Sequence, residues 1–159
     1  MLVSEVGGAG VLNPDAGSNS DPGLTLPRHV DGLIELSADH VQVWSMQAQE
    51  DLIVDGDASL EIWAAVAGYD PAGLGVLRVG LASCETLLAS CTTLGASDLL
   101  FVQAEHPEFA HLVVDLGSVA ATVPAGSHLV VAVATPLMST HDLWISYGTS
   151  THPARIWII

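Results

Sequence analysis

The chain contains no lysine. Its fixed cations are Arg28, Arg78 and Arg155, set against eighteen acidic residues, for a formal net charge of −15 at pH 7. Nucleic-acid binding needs a basic face that displaces counterions from phosphates, and three arginines cannot build one. The same balance disfavours anionic lipid. No apolar run reaches the ~18–20 residues that cross a bilayer as a helix; Leu129–Ala134 and the closing Arg155–Ile159 are among the longer ones. The N-terminus is acidic and soon glycine-rich, without the basic and apolar regions of a signal peptide. The expectation is therefore that a leader has been removed or is not needed. The long apolar N-terminal helix of a type IV pilin is also missing.

Motifs that carry chemistry are scarce. No G-x-S-x-G elbow occurs: Gly117-Ser118 and Gly126-Ser127 lack the second glycine. No lysine is there for a Walker loop, and Gly73-Leu-Gly75 lacks the third glycine of a dinucleotide fingerprint. The EF-hand pattern is absent too. Seven histidines, at 29, 40, 106, 111, 128, 141 and 152, show neither H-x-H nor H-x-x-x-H spacing. His111 and His128 fall in strand-like runs and could face each other across sheets as metal ligands; solvent-facing histidines are the plainer alternative. Glu105 and Glu108 flank His106-Pro107 as a candidate carboxylate pair, but read as a solvated loop. These absences argue against an enzyme.

What the chain has is apolar residues, 50% of 159, enough for one domain with a sizeable core. From residue 24 onward the period is two. Leu60, Ile62, Ala64 and Val66 alternate with Ser59, Glu61 and Trp63; Leu77, Val79 and Leu81 oppose Val76 and Arg78. Leu52–Val54 runs into Asp55-Gly-Asp57, which reads as a turn. About ten short strands with regular turn signals predict an all-β fold, an antiparallel jelly-roll-like β-sandwich. Residues 7–23 have a linker composition. The expected organisation is thus an extended N-terminal arm over 1–23 and a sandwich over 24–159.

Cys84 and Cys91 flank six residues, short enough for one hairpin to join them in a disulfide; two buried thiols are the alternative. A disulfide would fit an exported protein. They lack the spacing of a metal site. Asp55, Asp57 and Asp142 are candidate calcium ligands, with Asp-Gly turn geometry as the plainer reading; no other cofactor is indicated. Trp44, Trp63, Trp144 and Trp157 could form a carbohydrate-stacking platform if several faced outward, or could fill the core.

Four blocks follow one another in a familiar order over roughly residues 50–159. Asp55-Gly-Asp-Ala-Ser-Leu-Glu-Ile-Trp-Ala-Ala resembles the "dG.vtl.lW.a" strand of secreted jelly-roll domains. Leu77-Arg-Val-Gly-Leu-Ala-Ser-Cys with Cys91 is similar to their "yL.dC…C" segment. Val123-Pro-Ala-Gly-Ser-His-Leu-Val-Val-Ala-Val resembles "i.aGh.L.l.v", and Asp142 to Ile156 the closing "d.W.aYdt..yPSr." motif. Gly148 and Ala154 stand where the motif has aspartate and serine. The pattern belongs to extracellular bacterial and archaeal β-domains, some associated with surface appendages. A looser likeness is to the C-terminal jelly roll of X-prolyl dipeptidyl peptidases and cocaine-esterase-like hydrolases. There the catalytic triad lies in another domain, so the likeness implies no catalytic residue here.

The resulting expectation is a non-catalytic structural subunit of an extracellular or cell-surface assembly, a homo-oligomer or polymer such as a filament. Its arm, through Leu2, Val3, Val6, Val11 and Leu12, would add a strand to the next copy. A carbohydrate-binding or adhesion module with a glycan partner, and a virion decoration protein, are the alternatives.

Overall fold

Leu60, Ile62, Ala64 and Val66 recur at every second position, so an extended chain here must bury one face. In the computed structural model that face closes over a single core. The structure describes residues 2–4, 24–29, 40–103, 108–146 and 154–159, and these form an all-β sandwich of two sheets.

The first sheet is organised around β5 (Leu52–Val66). One edge of β5 pairs with β8 (Ala110–Val123) along almost its whole length. The other edge is shared: β11 (Arg155–Ile158) takes Ala58 to Glu61, and β10 (Leu143–Ser146) takes Trp63 to Val66. β1 (Leu2–Ser4) adds outside β11, and β2 (Leu24–Leu26) outside β10. In the second sheet β6 (Leu74–Thr86) lies between β7 (Ala89–Val102) and β9 (His128–Pro136). β4 (Gln42–Gln47) and the two-residue β3 (Arg28–His29) pair with β9.

The expected antiparallel sandwich is what forms, with one local exception: the two-residue β3 runs parallel to β9. Its backbone and side chain explain the placement. Arg28 donates its backbone N–H to Asp142 Oδ1 at 2.8 Å and its guanidinium to the Leu137 carbonyl at 2.9 Å. A correction concerns Asp55-Gly-Asp57, expected as a turn, which lies inside the fifteen-residue β5. The chain runs straight on because two partners pair there. β8 supplies Ala120 to Ser118, and the C-terminal residue exchanges backbone hydrogen bonds with Asp57. Gly56 is required at this crossing: its φ is +141°, and a Cβ would lie 2.5 Å from the Ile159 carbonyl oxygen.

The core fills from the inward faces of both sheets. Val54, Leu60, Ile62 and Val66 of β5 meet Leu77, Val79 and Leu81 of β6 and Leu129, Val131 and Val133 of β9, all essentially inaccessible to solvent. Burying each such side chain stabilises by roughly 1.5–3 kcal/mol. The outward side of the second sheet carries a smaller apolar cluster of Val43, Ala82, Cys84, Val130 and Ala132.

Cys84 and Cys91 form the expected disulfide, directly across the β6–β7 hairpin. The chain reverses at Leu87-Leu88, with Leu88 at φ +62° packed against the smaller cluster. Replacing both cysteines with alanine is expected to lower stability by about 2 kcal/mol, since the loop removed is short. Thermal unfolding with and without reductant checks this: the wild-type midpoint should fall on reduction and the variant's should not move.

Candidate functional site

Antiparallel registers put directly opposed residues on the same face of a sheet. On the outward face of the first sheet, Trp63 of β5 therefore stands beside His111 of β8, and Glu61 stands between Val113 of β8 and Arg155 of β11. Trp157 of β11 is opposite Ser59, and Trp144 of β10 is opposite Ala65. Three of the four tryptophans thus share one outer face, each half-buried. Along β5 they spread over roughly 20 Å at ~3.3 Å per residue.

Glu61 ties part of this face together. Its Oε1 is 2.9 Å from His111 Nε2, and its Oε2 accepts from Trp157 Nε1 at 3.1 Å. His111 in turn stacks on Trp63, with ring centroids 4.7 Å apart. Burial pulls the Glu61 carboxyl upward. The hydrogen bonds from Trp157 and His111 and the nearby charges of His111 and Arg155 outweigh it, leaving the carboxyl below its ordinary range. At the other end Tyr69 contacts Trp144 edge-on at 5.0 Å and Phe109 at 6.2 Å. The turn after β5 aims that ring: Gly68 and Tyr69 are both left-handed, with φ of 75° and 51°. Val113, 55% exposed, completes an accessible aromatic and apolar strip.

The other candidate residues fall elsewhere. Trp44 leaves the expected platform: it is opposite Val131 and its side chain lies in the core, 6% exposed. His111 and His128 do not meet, because His128 is on β9 of the second sheet, opposite Gln47 and Cys84. Asp142 is not brought to Asp55 and Asp57. It precedes β10, whose register starts at Val66, roughly 30 Å along β5 from Asp57. Asp142 accepts from Arg28, and Asp57 accepts from the Ser118 hydroxyl. Among the described residues no group of three or more histidines, cysteines or acids could hold a metal. Leu2 and Val3 lie on β1, paired with Trp157 and Ile156 of the same chain. Val6, Val11, Leu12 and Glu105 lie outside the described residues. The carbonyl of Glu108 accepts from Gln103 Nε2, whose Oε1 accepts from the Val66 N–H, closing the end of the sheet.

Sequence reading missed one arrangement. Asp70 Oδ2 is 3.1 Å from His141 Nε2, and Thr140 Oγ1 is 2.8 Å from His141 Nδ1. The order imitates a hydroxyl–imidazole–carboxylate relay. Thr140 Oγ1, however, accepts from the Leu74 N–H at 2.9 Å and lies 3.2 Å from the Leu74 carbonyl. Its role is to lock the turn before β6 to the turn before β10.

The chain is similar in fold to part of several larger enzymes. It covers 87% of itself and 32% of an aminopeptidase from a marine sediment archaeon, Thaumarchaeota archaeon, at 15% identity and a TM-score of 0.60. Against an α-amino acid ester hydrolase the values are 84%, 27%, 11% and 0.61. Against a CocE/NonD family hydrolase from Staphylococcus aureus they are 89%, 37%, 10% and 0.57. The chain therefore spans only about a third of each, and the likeness concerns the fold. It is consistent with the expected resemblance to the C-terminal β-rich domain of cocaine-esterase-like proteins, and it adds nothing to the association with surface appendages. No protein-family model matches the chain, and no curated protein does.

Proposed function

We propose that this chain is a non-catalytic β-sandwich module of an extracellular assembly, and that it binds a glycan through the outward face of its first sheet. The observation that carries the reading is the gathering of Trp63, Trp144 and Trp157 on that one face. Indoles give large, stiff stacking surfaces for the apolar faces of sugar rings. Ser59, Asp115 and His111 stand among them as hydrogen-bonding groups for hydroxyls. The excess negative charge turns away polyanions and leaves uncharged polysaccharide as the fitting class.

Alanine at Trp63 or at Trp144 is expected to cost about 2 kcal/mol of binding, about thirty-fold in affinity. Affinity electrophoresis in gels containing neutral polysaccharides measures it. Wild-type protein that migrates unretarded in every neutral gel would remove the reading.

A second reading is favoured by β1, the three-residue edge strand on β11. A short edge strand of this kind can be donated by the next copy in the same register, giving a head-to-tail contact that does not close and so a filament. Deleting residues 1–23 is then expected to leave monomers by light scattering. A truncated chain that still polymerises rules out the arm as connector.

A further inference from the structure

We propose that Glu61 is the positioning residue of the aromatic face, holding the Trp157 and His111 rings, and through His111 the Trp63 ring, so that the platform is assembled while Glu61 is ionised and released when it takes up a proton. This rests on the reading that the face binds glycan, and its test separates the two.

The argument is geometric. Glu61 sits mid-strand on β5 with β8 on one side and β11 on the other, so one side chain reaches across three strands. Each carboxylate oxygen has its own ring: Oε1 has His111 Nε2 at 2.9 Å, and Oε2 has Trp157 Nε1 at 3.1 Å. Indole Nε1 is a donor only, so Trp157 needs an acceptor to stay in this orientation. His111 passes the constraint on by stacking against Trp63 at 4.7 Å. The side chain of Glu61 is 16% exposed, whereas that of His111 is 44% exposed, so the carboxylate is better shielded from water than the imidazole it orients.

The groups facing Glu61 settle the direction of its pH response. From β8 these are His111, opposite Trp63, and the more distant Asp115, opposite Ser59; from β11 it is Arg155, directly opposite. Desolvation raises the carboxyl, while the two hydrogen bonds and the His111 and Arg155 charges lower it further, so the folded chain holds the ionised form below the ordinary value. A carboxyl depressed on folding stabilises above its unfolded value, and that contribution disappears as the pH falls through the folded one. Acid therefore loosens the platform.

Two readouts on the full chain test the proposal. The first is the indole N–H resonance of Trp157 through a titration from about pH 7 to about pH 3. It is expected to move with Glu61 protonation in the wild type and to lose that step in Glu61→Gln. His111→Gln, which leaves Glu61 titratable, should keep the step. The second is retention by hydroxyethylcellulose in native gels. Wild-type affinity is expected to fall about ten-fold on acidification, the size of a lost charge-assisted hydrogen bond. Glu61→Gln should be weak throughout, with no such acid step. A Trp157 resonance indifferent to Glu61 protonation overturns the proposal, and so does a Glu61→Gln variant that binds like the wild type with the same pH profile. The wild-type titration decides even if the variant fails to fold. Should the resonance titrate while no neutral polysaccharide is retained, the positioning role stands and the glycan reading falls.

Discussion

Alanine in place of Ile62 is expected to lower the stability of the chain by about 4 kcal/mol. Ile62 is fully buried and opposes Leu112 across the β5–β8 ladder. It lies between the stretch of β5 that pairs with β11 and the stretch that pairs with β10. Removing three carbons there leaves a void that long, continuously paired strands cannot collapse to fill. Ile62→Val removes one carbon and should cost only about 1 kcal/mol. Urea unfolding gives both values. A loss below about 1 kcal/mol for the alanine variant would mean that the facing sheets do not pack on this residue.

The second large effect is expected at Gly95. Here β7, the edge of one sheet, comes close to β8, the edge of the other, and a Cβ on Gly95 would lie 2.6 Å from the Leu116 carbonyl oxygen and 3.3 Å from Leu116 Cβ. The obstructing atom is backbone, so no rotamer change relieves it. Gly95→Ala must spread the two edges, at about 3 kcal/mol. Gly117 makes an instructive control. Its φ is +81° but nothing lies within 4 Å of its Cβ position. Gly117→Ala meets only backbone strain, about 1 kcal/mol. Thermal midpoints should rank wild type, Gly117→Ala, then Gly95→Ala. Equal losses would show that the edges are not in contact.

The period-two pattern made the fold class legible, because alternate burial in a sandwich writes itself directly into sequence. The β6–β7 hairpin was legible for a related reason, two cysteines close enough to oppose each other. Asp55-Gly-Asp57 misled because its composition is that of a tight turn. What keeps it extended is pairing with residues far along the chain, Ser118 to Ala120 and Ile159. The face itself was only half legible. Alternation puts Trp63 and Glu61 on one side of β5, but it cannot say which strand lies alongside. Glu61 meets His111 fifty residues later and Trp157 ninety-six residues later, and only the register decides that. Trp44 shows the converse: it occupies a strand like the others, but its turn in the alternation points it inward.

β5 presents Leu60, Ile62 and Ala64 to the interior and Ser59, Glu61 and Trp63 to the outside, while gripping partners along both edges. Such a strand cannot yield locally when something lands on it. On the proposed glycan reading, a ligand settling there would meet a platform whose backbone freedom was surrendered during folding, so association would cost little further ordering of the protein. The same economy restricts change: a residue inserted into β5 would exchange inner and outer combs together, so this strand can vary by substitution at Ser59, Glu61 and Trp63 but not by a change of length.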